Sequence, residues 1–358
     1  MCETRISLRR EYWAFTDGHD RADKFEAGCV KRRIVIYALL LLSLILSSAP
    51  GQSQKKSEAA RESAGANSVE ALLFAYFKGN GEDGLHFAHS DDGLTWRFVN
   101  NGQPLLKPAI GRDKLMRDPH ITVGTDGTYH MVWTSSWKEP VIGYATSRDL
   151  IQWSEQRAIT PMSHEPAVRN VWAPETFYDP ATKQFLLFWS STIPGRFPAT
   201  DGSGGNGLNH RIYYTTTKDF KKFTSTKLLY DKDFNVIDAT IIKENDRYIM
   251  FIKDETREPA AQKNIRYAVS PRAEGPYSEA SPPITGNYWA EGPSAIRLGS
   301  RWVVYFDKYT EHRYGAIVSS DLKSWEDISS QVQFPEGARH GTVLRVPRNT
   351  LSKLLNLK

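Results

Sequence analysis

The chain has 358 residues, of which 46 are basic and 41 acidic, with a formal net charge of +5, 40% hydrophobic and 12% aromatic side chains, and two cysteines. Of the charged residues, 10 basic and 6 acidic precede Ser57, leaving 36 against 35 beyond it, and that near-neutral remainder excludes the basic surface a nucleic-acid partner needs. Cys2 and Cys29 both lie near the N-terminus, so the rest has no disulfide and is held by packing alone, for which about 300 residues suffice as one large domain.

Residues 1–29 have mixed charge and no periodicity. Lys31-Arg32-Arg33 then precedes an uncharged apolar run, 34–48, that ends in Ser47-Ser48-Ala49 before Pro50-Gly51. This is the basic, apolar, small-residue order of a secretory signal peptide, and the run is shorter than the about 20 residues that span a bilayer. The expected organisation is an N-terminal extension, 1–29, left untranslated if synthesis starts at Val30; a signal peptide, 30–50; a polar linker, 51–68; a catalytic domain, 69–350; and a tail, 351–358. The protein is expected in the periplasm or outside the cell, as a monomer, off the membrane once the signal is removed.

From Val69 onward, short runs rich in Val, Ile, Thr, Tyr, Phe and Trp alternate with Gly, Asp, Asn and Pro turns, the pattern of an all-β domain. The stretch Phe87-Ala88-His89-Ser90-Asp91-Asp92-Gly93-Leu94-Thr95-Trp96 returns around Ser147, Thr217, Ser270 and Ser320, at intervals of 57, 70, 53 and 50 residues. Five such units predict a five-bladed β-propeller. A middle unit reads as an inner strand 118–123, a turn at Asp126-Gly127, strands 129–135 and 141–146, and an outer strand after Trp153. Trp96, Trp153 and Trp325 belong to the repeat and fill the gaps between blades; Trp133, Trp189 and Trp302 fall within second strands, in the core. The first unit lacks an inner strand, and the segment 340–346 supplies one, which predicts that the C-terminal strand completes the first blade and closes the ring.

Three stretches put one carboxylate at the mouth of an apolar segment: Arg117-Asp118-Pro119-His120-Ile121, Val236-Ile237-Asp238-Ala239 and Tyr288-Trp289-Ala290-Glu291-Gly292-Pro293. Singly, each acid suits turn capping or pairing with a base such as Arg117. At matching places in three units, however, Asp118, Asp238 and Glu291 converge on one end of the central channel. Buried acids are costly unless paired or neutralised, so the set suits bond chemistry or a bound cation. Glycoside hydrolysis needs one carboxyl group protonated and another ionised, and a third acid raises the donor's pKa. Trp172, Trp289, Tyr288 and Trp137 lie near strand ends, where aromatic faces can stack on a sugar. Arg339, Arg117, His120 and His210 are candidates for sugar hydroxyls, with salt bridges as the alternative. The glycine-rich loop 193–209 precedes a strand and not a helix, which makes it a poor phosphate cradle; it reads as a flexible loop on the rim.

With Trp172-Ala173-Pro174-Glu175 and Arg339-His340-Gly341-Thr342, these motifs resemble glycoside hydrolase family 43 over residues 72–347, although the first acid comes late, behind a full set of strands. The resemblance implies a five-bladed propeller acting on arabinofuranosides, xylosides and related polysaccharides. It implies that Asp118 is the general base, Asp238 the acid that tunes and orients the donor, and Glu291 the general acid. Inversion by single displacement follows, with the Asp118 and Glu291 carboxyl groups about 6.5–9.5 Å apart to admit a water. Trp172, Glu175, Trp289, Trp137, His120 and Arg339 would bind substrate, Glu175 standing where Asp is common. His340 would help hold a structural Ca2+ or other cation, or a water cluster, on the axis, or be a packed core group; no cofactor is required for the reaction. The expected function is an exported hydrolase cleaving terminal bonds of oligosaccharides or polysaccharides. A catalytically silent glycan-binding propeller, and a propeller glycosidase or phosphorylase of another clan, are the alternatives.

Overall fold

Each repeat unit forms one antiparallel sheet in the computed structural model, which describes residues 70–357. The signal peptide, the extension before it, both cysteines and the linker lie outside the described residues. In the second sheet Arg117–Val123, Tyr129–Thr134, Ile142–Ser147 and Arg157–Ile159 follow in order, as the sequence pattern predicts. The third contains Trp172–Asp179, Gln184–Thr192, His210–Thr217 and Lys227–Tyr230; the fifth contains Glu291–Leu298, Arg301–Lys308, Arg313–Ser319 and Glu326–Asp327. The first strands of successive sheets contact one another around the axis. In the first sheet that inner place is taken by Arg339–Pro347, which pairs antiparallel with Glu70–Phe77 from Pro347 opposite Glu70 to Arg339 opposite Phe77.

The fourth sheet has three strands, Val236–Glu244, Arg247–Asp254 and Asn264–Ser270. Its outer edge is covered by the following loop, where the amides of Ser278, Ser281 and Ile284 donate to the carbonyls of Val269, Tyr267 and Ile265 at 2.8, 2.8 and 2.9 Å. The edge is therefore not left open to a foreign strand.

A hydroxyl–aspartate turn produces the repeat signature. Ser147 Oγ accepts from the Leu150 amide at 2.8 Å, and Asp149 Oδ1 accepts from the amides of Ile151 and Gln152 at 2.9 and 2.8 Å. The same arrangement recurs at Ser90 with Asp92, Thr217 with Asp219, and Ser319 with Asp321. The fifth copy is thus anchored on Ser319 and not on Ser320, because the turn requires the aspartate two residues after the hydroxyl.

Five apolar clusters occupy the five gaps between neighbouring sheets. Trp96 packs between the first and fifth sheets, Trp153 between the first and second, and Trp325 between the fourth and fifth. Burying one large apolar side chain contributes about 1.5–3 kcal/mol, a large fraction of the ~5–15 kcal/mol by which domains are stable. Most of the segment read as a tail, 351–358, lies in a helix, Arg348–Leu355, whose Leu351 and Leu354 are buried in the cluster between the first and second sheets. Their spacing of three residues puts both on one helical face. Among the described residues, no helix is long and apolar enough to cross a membrane.

Candidate active site

The inner strands of the second to fifth sheets are all bulged at the channel mouth. Their pairing slips between Arg117 and His120, Trp172 and Glu175, Ile237 and Thr240, and Glu291 and Ser294. In each bulge one residue is left-handed: Asp118 (φ 52°), Ala173 (φ 44°), Asp238 (φ 53°) and Gly292 (φ 58°). A bulge frees the backbone from the ladder and re-aims the side chain, and aspartate adopts this conformation more readily than most non-glycine residues.

This register corrects the alignment of the three acids. Asp118 and Asp238 are equivalent, whereas Glu291 stands one residue earlier, at the position of Arg117, Trp172 and Ile237. Gly292 takes the left-handed place, where a Cβ would stand 2.3 Å from the His340 ring. Gly292→Ala is therefore expected to displace His340 and to lower Tm by about 5 °C or more; thermal unfolding read beside hydrolysis checks it.

His340 joins the acids. Its Nδ1 lies 3.3 Å from Asp118 Oδ1, and its backbone N–H donates to Asp307 Oδ2 at 3.3 Å. Burial alone would lower its pKa, but the hydrogen bond and charge of Asp118 raise it to about 9, so His340 is an imidazolium at neutral pH. Burial pushes Asp118 up, but His340, Arg117 and the Thr134 hydroxyl at 2.8 Å pull it down to about 2. Asp118 is thus ionised throughout the physiological range. Thr134 Oγ1 also accepts from the Ala173 amide at 2.8 Å, which fixes the hydroxyl to point its proton at Asp118.

Asp238 lies in a different environment. The Gly292 amide donates to its Oδ2 at 3.1 Å, and burial pushes its pKa up to about 7 against the pull of His340 and Lys253. Glu291 is held below the ordinary glutamate range: burial opposes ionisation, but Lys253 Nζ at 3.0 Å and Arg339 Nη2 at 3.2 Å outweigh it. Arg339 also donates through Nε to the buried Asp307 at 2.7 Å. The arrangement can supply an ionised base, a carboxyl group that titrates near neutrality, and a third carboxylate clamped by two cations.

Lys253, Asp307 and Thr134 were not among the sequence candidates. They share one position, since Lys253 pairs with Ile237, Asp307 with Glu291 and Thr134 with Arg117 at the end of each second strand. A signal was present in the charges that close the apolar runs Ile249-Met250-Phe251-Ile252-Lys253 and Val303-Val304-Tyr305-Phe306-Asp307.

The aromatic candidates divide. Trp137 is 40% exposed on the rim; its ring meets that of Trp172 edge-on at 5.5 Å and carries the Arg117 guanidinium at 4.3 Å. Trp172 donates through Nε1 to the Trp137 carbonyl at 3.0 Å. Trp289 is half-buried beside Tyr309, their centroids 5.9 Å apart.

Several polar candidates are already engaged. His120 and Glu175 are buried and face each other, His120 Nδ1 to Glu175 Oε2 at 3.3 Å, and His120 Nε2 lies 2.9 Å from the Thr176 carbonyl. They stand two residues past the left-handed position, below the mouth, and tie the second and third inner strands together instead of presenting free donors to a sugar. His210 is buried against Asn235, and burial lowers its pKa to about 4, leaving it neutral. Arg339 remains at the mouth, committed to Glu291 and Asp307. The loop 193–209 is tied down at two points: the Arg257 and Glu258 amides donate to the Ser203 carbonyl at 2.6 and 3.0 Å, and the fully buried Arg211 donates to Thr200 Oγ1 at 2.8 Å.

Among the described residues, no group of three or more His, Cys, Asp or Glu side chains is arranged to hold a metal ion, and His340 Nδ1 faces Asp118 Oδ1 at 3.3 Å.

A family model described as "Probable glycosyl hydrolase domain", glycosyl hydrolase 43-related, matches residues 67–351. An α-L-arabinofuranosidase of Bifidobacterium longum subsp. longum is 26% identical over 247 residues, 58% of this chain and 23% of that protein. The chain thus spans about a quarter of that curated relative's length. Among solved structures, an exo-β-1,3-galactanase of Clostridium thermocellum shares the fold, with a TM-score of 0.54 and 12% identity over 73% of this chain and 59% of that one. An α-L-arabinofuranosidase of Lactobacillus brevis gives a TM-score of 0.46 and 18% identity, covering 59% of this chain and 72% of that one.

Proposed function

The chain belongs to the glycosyl hydrolase 43-related family, and from that membership we propose that it is an exported glycoside hydrolase that removes terminal arabinofuranoside-type residues, or the related xylosides, from oligosaccharides or polysaccharides with inversion. The observation that carries this reading is the cluster of Asp118, Asp238 and Glu291 around His340, with one carboxyl group ionised at every physiological pH and another raised toward neutrality.

Asp118 takes the proton of the attacking water, and Glu291 delivers a proton to the departing glycosidic oxygen. Asp238 sits behind Glu291, joined to the adjacent Gly292 amide, and governs its protonation. Trp137 offers an exposed ring on the rim for a sugar of the leaving group, and Trp172 and Trp289 flank the entrance. The reaction as proposed needs no cation on the axis.

A panel of aryl pentosides and hexosides with arabinan and xylan, given to the purified protein and to Glu291→Gln, tests the proposal. Release of one pentose by the parent, with a loss of about 10²-fold or more in the variant, is expected, and NMR should show the inverted anomer first. A retained anomer would remove the inversion, and cleavage only with phosphate would move the protein to a phosphorylase. No turnover with glycan binding intact in both proteins would leave a binding module.

A further inference from the structure

Glu291, the proton donor in the reading above, is held as an anion when no substrate is bound. Each of its oxygens faces a cation, Lys253 Nζ at 3.0 Å and Arg339 Nη2 at 3.2 Å. The Lys253 side chain is 2% exposed and is fixed from its other side by Glu255 at 2.6 Å, with the Tyr309 ring centroid 4.7 Å away. Asp238 is as deeply buried, yet among the described residues its carboxyl group accepts only the Gly292 amide. A buried carboxyl group without a cation keeps its proton, whereas one between a lysine and an arginine gives it up.

We propose that Lys253 is a positioning residue that keeps Glu291 ionised in the free protein and so stores the catalytic proton on Asp238, from which it passes to Glu291 when substrate seals the mouth. The handover rests on the reading of Glu291 as donor; the storage site does not.

The charged groups facing the pair come from four of the five sheets. Lys253 and Glu255 come from the fourth sheet and its loop, with Lys263 paired to Glu255 behind them; Asp307 and Tyr309 come from the fifth; Arg339 and His340 from the closing strand; Arg117 and Asp118 from the second. Lys253 and Arg339 touch Glu291 directly, while Asp118 and Glu291 both oppose ionisation of Asp238. Burial and these charges agree with the contacts: Asp238 is neutral below about 7, and Glu291 is ionised there. The Glu291 side chain is 18% exposed, and a bound sugar that excludes water from it raises its proton affinity.

The protons balance over one turnover. The free protein holds Asp118 and Glu291 as anions and Asp238 as the acid. With substrate bound, the Asp238 proton moves to Glu291 and then to the glycosidic oxygen as the carbon–oxygen bond breaks. Water forms the new bond and gives its proton to Asp118, which returns one to Asp238 through solvent.

Carboxyl ¹³C NMR of the purified protein over pH, assigned with Asp238→Asn and Glu291→Gln, reads the storage site without any substrate. Asp238 is expected to titrate near neutrality while Glu291 is already ionised; Glu291 protonated where Asp238 is ionised overturns the proposal. In Lys253→Met, Glu291 should take up its proton at a pH about one unit or more higher, and Lys253→Arg should restore the original titration. With an active protein, the alkaline limb of kcat/KM, which reports the free enzyme, should move up by a similar amount in Lys253→Met alone. A uniform loss with an unmoved limb would make Lys253 a packing residue and overturn the proposal. If Lys253→Met does not fold, the parent titration and Lys253→Arg still decide. The expected titration without hydrolysis by the parent would sink the proposed function and leave the storage site standing.

Discussion

Asp118→Asn is expected to lower kcat on a pentoside substrate by about 10³-fold or more while leaving the fold intact. General-base assistance is worth about 10²–10⁴, and Asp118 is ionised at all physiological pH values. Asparagine suits the test because it adopts the left-handed conformation (φ 52°) that the bulge imposes and can still accept from Thr134. Alanine at this place would mix lost chemistry with backbone strain. Initial rates beside a thermal melt separate the two effects: an unchanged melt with a parental rate would remove Asp118 from the reaction and leave its ion pair with His340 without measurable weight in activity or stability.

A chain ended after His340 is expected to be insoluble. It keeps both charged residues of the closing strand at the mouth, so the result reports the ring and not the site. Removal of the strand uncovers Glu70–Phe77 along its inner edge and takes away Val343, Leu344, Val346, Leu351 and Leu354, all buried in the gaps on either side of the first sheet. At about 1.5–3 kcal/mol each, these five side chains contribute roughly 8–15 kcal/mol, as much as the net stability of most domains. The soluble fraction and the cooperativity of unfolding measure it; a soluble truncation with a sharp transition would show that the first sheet is stable without its inner strand.

The strands were legible because their signals are local. Alternating apolar runs and the hydroxyl–aspartate turns at Ser90, Ser147 and Thr217 depend on a few neighbouring residues, and four of the five units carry the turn. The acids were legible for the same reason, but their register was not. Nothing adjacent to Glu291 says that the bulge places Gly292, and not Glu291, opposite the His340 ring. Lys253 and Asp307 escaped because they reach the mouth on returning second strands, and only cross-strand pairing brings them beside Ile237 and Glu291. For His120 and Glu175, motif and mouth do not coincide. One further step along each inner strand leads into the packed channel, where the two residues satisfy each other.

The pairing of Glu70 with Pro347 joins residues from opposite ends of the domain. Such a contact is among the slowest to form, because the whole intervening chain must be ordered or looped out first. Four sheets can be completed in the order in which the ribosome releases them, but the first cannot. It waits for Arg339–Pro347, the strand that follows all the others of the domain and also brings Arg339 and His340 to Glu291 and Asp118. The pairing that closes the ring is therefore the same event that brings the cations of the candidate site to its acids.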